Sequence, residues 1–177
     1  MAEVNTPFSA RKVIYAIACI AGIIFLMCEV GLFRYTIISP GIPAGIIIAV
    51  GLVAFVIDKN RYQQTYAIKG WFFPLFQNIF SWGFFACYLF VAANYYLSTG
   101  PAKSYKLKIV EVSSTNGGRG DGYKQIPTVY IDYFGFKKEL IFNNDDRARV
   151  IHPQSVLVTA QKGFLGFDIL TSYKPAP

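Results

Sequence analysis

The hydrophobic positions of this chain change period once, near Gly100-Pro101. Before that point they run almost unbroken. VIYAIACIAGIIFLMCEVGLF (13–33), GIPAGIIIAVGLVAFVI (41–57) and WFFPLFQNIFSWGFFACYLFVAANYYL (71–97) are each apolar over close to the 20 or so residues needed to cross a bilayer. Arg11-Lys12 and Arg34-Tyr35 flank the first. Ser39-Pro40-Gly41-Ile42-Pro43 opens the second, since proline is tolerated in a first helical turn. Trp71 and Tyr95-Tyr96 bracket the third, as aromatic residues do at membrane interfaces. Residues 58–70, DKNRYQQTYAIKG, read as a polar connector.

After residue 101 the period falls to two. In SYKLKIVEV, Leu107 and Ile109 alternate with Lys106 and Lys108; in IPTVYIDYF, Val129, Ile131 and Tyr133 share one face and Tyr130 and Asp132 the other. KKELIF follows a tight turn at Phe134-Gly135-Phe136. SVLVTAQ and FLGFDILTS are two further strands, joined by a short turn at Lys162-Gly163. NNDDRARVI, between them and KKELIF, reads as a capped helical turn. The expected fold is α+β: a transmembrane domain over 1–100, then a soluble domain over 101–177, a five-stranded β-barrel or sandwich of OB or SH3-like type.

Composition sharpens this division. The chain is 54% hydrophobic and only 15% charged, against about a quarter charged in soluble domains. Glu3, Glu29 and Asp58 are the only acidic residues of the first hundred. The net charge of +7 is spread along the chain rather than gathered into a patch, so it points to membrane topology and headgroup contacts, not to nucleic acid. Three crossings put the termini on opposite sides. Arg11, Lys12, Lys59, Arg61 and Lys69 then face Arg34, Lys103, Lys106 and Lys108, which favours a cytoplasmic N-terminus and an extracytoplasmic C-terminal domain. Cys19, Cys28 and Cys87 sit in apolar segments and read as small buried hydrophobes.

Polar residues inside apolar spans are expensive, at about 2.5–3.5 kcal/mol for a charge at mid-bilayer, and so are candidates for function. Here they are Glu29, Gln77, Asn78 and Asn94. Glu29, near its helix end, is placed to meet the interface, Arg34 or a partner subunit; the three amides are expected to bond between helices. Gly41, Gly45 and Ala49 recur every four residues and form a smooth ridge expected to pack against another helix of the chain.

Catalytic constellations are sparse. His152 is the sole histidine, and the sequence has neither HExxH nor CxxC nor a P-loop, so no metal, cofactor or enzymatic activity is expected. The segment SSTNGGRGDGYK (113–124) contains an Arg-Gly-Asp tripeptide. Placed between two strands, it reads as a flexible connector and a candidate docking loop carried by Asn116, Gly117, Gly118, Arg119, Gly120 and Asp121.

The run YKLKIVEV, the glycine-rich gap, TVYIDYFGFKKEL and the closing SVLVTAQKGFLGFDIL together resemble uncharacterised bacterial membrane proteins that join a few N-terminal helices to a small C-terminal β domain. In architecture the chain also resembles membrane-anchored OB-domain proteins that associate with stomatin-like scaffolds. These resemblances imply a location in a bacterial inner membrane and assign no catalytic positions. The expected role is that of a non-enzymatic accessory or scaffolding subunit, with the lipid bilayer and other membrane-protein subunits as partners. The alternative is a small transporter or channel component that uses Glu29 and the intramembrane amides.

Overall fold

The computed structural model describes residues 10–116, 125–142 and 155–176. The glycine-rich segment 117–124 and the expected helical turn at 143–151 lie outside the described residues. The chain divides into a helical unit, Met1–Arg34 with Ile38–Tyr96, and a β unit, Tyr35–Ile37 with Leu97–Pro177.

The helical unit contains α1 (Ala10–Tyr35), α2 (Gly41–Tyr66) and a third rod, Phe72–Tyr96. All three are long and apolar enough to cross a membrane. The third rod is built from α3 (Phe72–Asn78), a π-helical turn (Ile79–Gly83) and α4 (Phe84–Tyr96). α2 does not stop at residue 57. Residues 58–66, expected as connector, continue the helix, because tertiary contacts hold them there. Asp58 Oδ1 accepts a 2.9 Å hydrogen bond from the Tyr15 hydroxyl, and the Tyr62 and Tyr66 rings pack on Tyr15. The helix ends at Ala67, whose φ of 52° is left-handed and whose N–H bonds Gln63 O.

Close helix contact centres on the π turn. A methyl added at Gly51 would lie 2.7 Å from Ile79 Cγ1, and one at Gly83 would lie 2.6 Å from Ile47 O. At Gly22 it would strike the Phe80 carbonyl. These three glycines let the backbones approach. The Gly41, Gly45 and Ala49 ridge, expected to do so, faces outward: a methyl at Gly45 meets nothing within 4 Å. The cause is angular. Pro43, Ile47 and Gly51 form the inward stripe of α2, and a ridge offset by two residues is turned about 200° around the axis.

The β unit is a five-stranded antiparallel sheet in the order β3-β2-β1-β4-β5, comprising β1 (Lys103–Asn116), β2 (Gln125–Tyr133), β3 (Phe136–Ile141), β4 (Ser155–Lys162) and β5 (Asp168–Ala176). Val129, Ile131 and Tyr133 of β2 point inward with Leu140, Phe142, Val156, Val158 and Leu170 to form the core. β1 changes partner midway: 103–108 pair with β4 and 109–116 with β2, the switch falling at a bulge between Ile109 and Glu111. The β2–β3 turn is two residues, Phe134-Gly135, both at positive φ, and Gly135 N donates to Asp132 Oδ1 at 2.7 Å. The β4–β5 turn is longer than the expected two residues. Residues 163–167 form it, with Gly166 at φ 91° and Gly163 N bonded to Phe167 O, so β5 opens at Asp168 rather than at Phe164.

The sheet curls into a half-barrel, and side chains span its seam. Tyr173 of β5 donates to Ile141 O of β3 at 2.6 Å, while Tyr133 of β2 donates to Asp168 Oδ2 at 3.0 Å. The three residues Tyr35–Ile37 belong to this unit. Thr36 pairs antiparallel with Ile169, Ile37 N donates to Asp168 O at 2.8 Å, and Lys138 Nζ of β3 donates to Thr36 O at 2.8 Å.

Candidate functional site

Two regions concentrate chemistry that the fold does not consume. The first is the outer half of β1. From Glu111 to Asn116 it is laddered to β2 alone, so among the described residues its other edge has no strand partner. Val110 and Val112 are 59% and 49% exposed on this ribbon. Beside them an exposed ladder crosses three strands. Glu111 Oε2 accepts a 2.7 Å bond from Lys137 Nζ, and that ammonium lies 4.4 Å from the Tyr130 ring centroid. The hydrogen bond to Glu111 raises the Lys137 pKa. Asn116 ends the ribbon; the other candidate loop residues, Gly117, Gly118, Arg119, Gly120 and Asp121, lie outside the described residues.

Behind the ribbon, at the seam, lie groups with displaced titrations. Lys138 is nearly buried, and burial holds its pKa at about 8, with Glu139 opposing the fall. Burial also raises the Tyr133 pKa, reinforced by its bond to the Asp168 carboxylate. A cavity of about 360 Å³ opens beside them, bounded by Lys103, Tyr105, Tyr133, Lys162 and Asp168. Lys162 Nζ closes on Asp168 Oδ1 at 3.3 Å.

The second region is the polar interior of the helical unit. Glu29 is only 5% exposed and turns into the helix packing, on the same stripe of α1 as Gly22. Among the described residues it does not pair with Arg34: Cys87 Sγ donates to Glu29 Oε1 at 3.0 Å, and Glu29 Oε2 has no hydrogen-bond partner there. Gln77 does bond between helices, its Nε2 donating to Tyr15 O at 2.8 Å and to Ser81 Oγ at 2.9 Å. Asn78, expected to do the same, bonds instead within its own helix, to Pro74 O at 2.8 Å, because its short side chain folds back on the preceding turn. Asn94 is buried on α4. The structure thus sets Gln77 and Asn78 beside Tyr15, Asp58 and Ser81 around one cavity, and Glu29 apart from it with Cys87.

Sequence reading passed over Asp58, Cys87 and Lys138. Lys138 had a signal: it shares the period-two parity of Leu140 and Phe142, which places it inward. Cys87 had none beyond its apolar setting.

No family model, no curated protein and no solved structure matches this chain. The chain is of α+β class, with three membrane-length apolar helices and a curled five-stranded antiparallel sheet.

Proposed function

We propose that this is an integral membrane protein without catalytic activity, whose three helices cross a bilayer and carry a β unit that docks another membrane-protein subunit. The observation that carries the reading is the edge of β1 at Glu111–Asn116, which no strand covers among the described residues, with Val110 and Val112 exposed beside it. An unpaired strand edge offers a row of backbone donors and acceptors, the means by which extended partner segments add to a sheet. An OB-type barrel supports the same reading: its first strand is shared between two ladders, and its ligands bind near the loop between the first two strands. Here β1 is shared in that manner and leads into segment 117–124. The basic residues favour an N-terminus in the cytoplasm and a β unit outside it, and the resemblance to bacterial membrane proteins implies a bacterial inner membrane. A photo-crosslinking residue at Val112 tests the docking. Discrete adducts from Val112, absent when the probe sits at exposed Thr171 on β5, support it; equal or no adducts from both positions remove it.

A second reading, as a small transporter or channel component, is favoured by one observation: the buried Glu29 carboxyl with an oxygen that lacks a partner. Flux in proteoliposomes that disappears in Glu29→Gln while the protein still inserts would replace the docking reading with this one.

A further inference from the structure

A cavity of the helical unit lies at the end of the rods marked by Arg11 and Arg61. Its volume is about 640 Å³, and Tyr15, Asp58, Gln77 and Trp82 also line it. Among the described residues neither guanidinium is ion-paired, and the Asp58 carboxylate accepts from the Tyr15 hydroxyl. Two fixed positive charges against one negative leave the mouth cationic.

Two apolar grooves continue from this mouth. One, between α1 and the third rod, is lined by Ala18, Gly22, Phe25 and Phe85. The other, along α2, is lined by Val50, Val53, Ala54 and Ile57 and has a volume of about 390 Å³. Trp82 borders the mouth and both grooves. Both run away from the Arg11 and Arg61 end, along α1 from Ala18 to Phe25 and along α2 from Ile57 back to Val50. A cationic pocket at the membrane surface that opens into two apolar channels matches an amphiphile with one anionic head and two tails. Guanidinium groups suit phosphate oxygens because they donate in a planar fork.

We propose that this is a binding site for an anionic glycerophospholipid, its phosphate held by Arg11 and Arg61 and its two acyl chains lying in the grooves on either side of Trp82. The proposal rests on the reading that the helices cross a bilayer. It adds a resident lipid to the anchor and is independent of any partner at the β unit.

Native mass spectrometry of the full chain in mild detergent, with added phosphatidylglycerol or phosphatidylcholine, tests it. Phosphatidylglycerol should bind about ten-fold or more tightly than phosphatidylcholine, and the pair Arg11→Gln and Arg61→Gln should erase that preference. The pair Lys59→Gln and Lys69→Gln removes the same charge from the same end without touching the pocket and should keep it. Ala21→Trp fills the groove between α1 and the third rod without entering the arginine-lined mouth, and should also weaken phosphatidylglycerol, with unchanged helical circular dichroism showing that the fold survives. Equal binding of both lipids, equal losses in the arginine and lysine pairs, or full binding in Ala21→Trp would each overturn the site. Alkaline carbonate extraction separates the two levels. A chain released from membranes fails the bilayer reading itself; a chain retained there without lipid preference fails the site alone.

Discussion

The Lys138 ammonium donates to the carbonyl of Thr36 at 2.8 Å, joining β3 to a segment 102 positions earlier. Thr36 pairs in turn with Ile169 of β5, so one lysine and one short stretch of chain fill the seam between the two edge strands. A buried lysine on an edge strand also discourages foreign strands from adding there. Among the described residues the outer edge of β1 has no such guard.

This lysine sets a pH dependence. Its pKa is near 8 in the folded protein and 10.5 in the unfolded chain. Between these values the unfolded chain holds a proton that the folded protein has released, so stability rises with pH. Tyr133 and Tyr173, whose burial raises their pKa, reverse the trend once pH passes their ordinary value of 10.0. Hydrogen-exchange protection of β4 amides, corrected for intrinsic rates, should therefore increase from pH 8 to 10. The gain is at most about 3 kcal/mol, a pKa unit being worth about 1.4. In Lys138→Met this rise should flatten; an unchanged slope would assign it to another group.

Gly51→Ala should weaken the helical unit by about 1–3 kcal/mol, since the added methyl meets Ile79 at 2.7 Å. Gly45→Ala, where the methyl meets nothing, should be neutral or slightly stabilising through helix propensity. Thermal unfolding in detergent followed at 222 nm separates the two. If both lose stability alike, the exposed ridge is an interface between copies or partners.

Tyr173→Phe deletes the hydroxyl that reaches Ile141 O at 2.6 Å. The expected cost is about 1 kcal/mol, a typical net hydrogen bond. Loss of exchange protection should concentrate in β3 and β5 and spare β1, which the sheet order places between its two ladders.

Lys106 is exposed on β1 and reports the side of the membrane. A membrane-impermeant maleimide should label Lys106→Cys on intact spheroplasts, in a background lacking Cys19 and Cys28. Labelling only after lysis would reverse the proposed orientation.

The three rods were legible because an apolar run of membrane length has few alternative fates, and β2 because Val129, Ile131 and Tyr133 alternate cleanly with polar neighbours. The continuation of α2 to Tyr66 was not. Its polar residues imitate a loop, and what keeps them helical is Tyr15, more than forty residues away. The inward stripe of α2 was also hidden: in an apolar helix every face looks buried, so Gly45 and Gly51 cannot be told apart without the neighbouring rod. Residues 36 and 37 are too few to show a period, and their pairing with β5 leaves no local trace.

That pairing has a consequence for biosynthesis. Thr36 leaves the ribosome long before its mate Ile169, and at about 5–20 residues per second the interval is on the order of ten seconds. During it the connection between the first two helices waits as an unpaired segment, and the last strand to be made completes a structure begun by the first loop. Any version of the β unit that starts at residue 97 would lack this piece and emerge with its seam unfilled. Supplying the missing segment in trans, as a short peptide spanning Tyr35–Ile37, would turn the late-arriving strand pair into a measurable complementation.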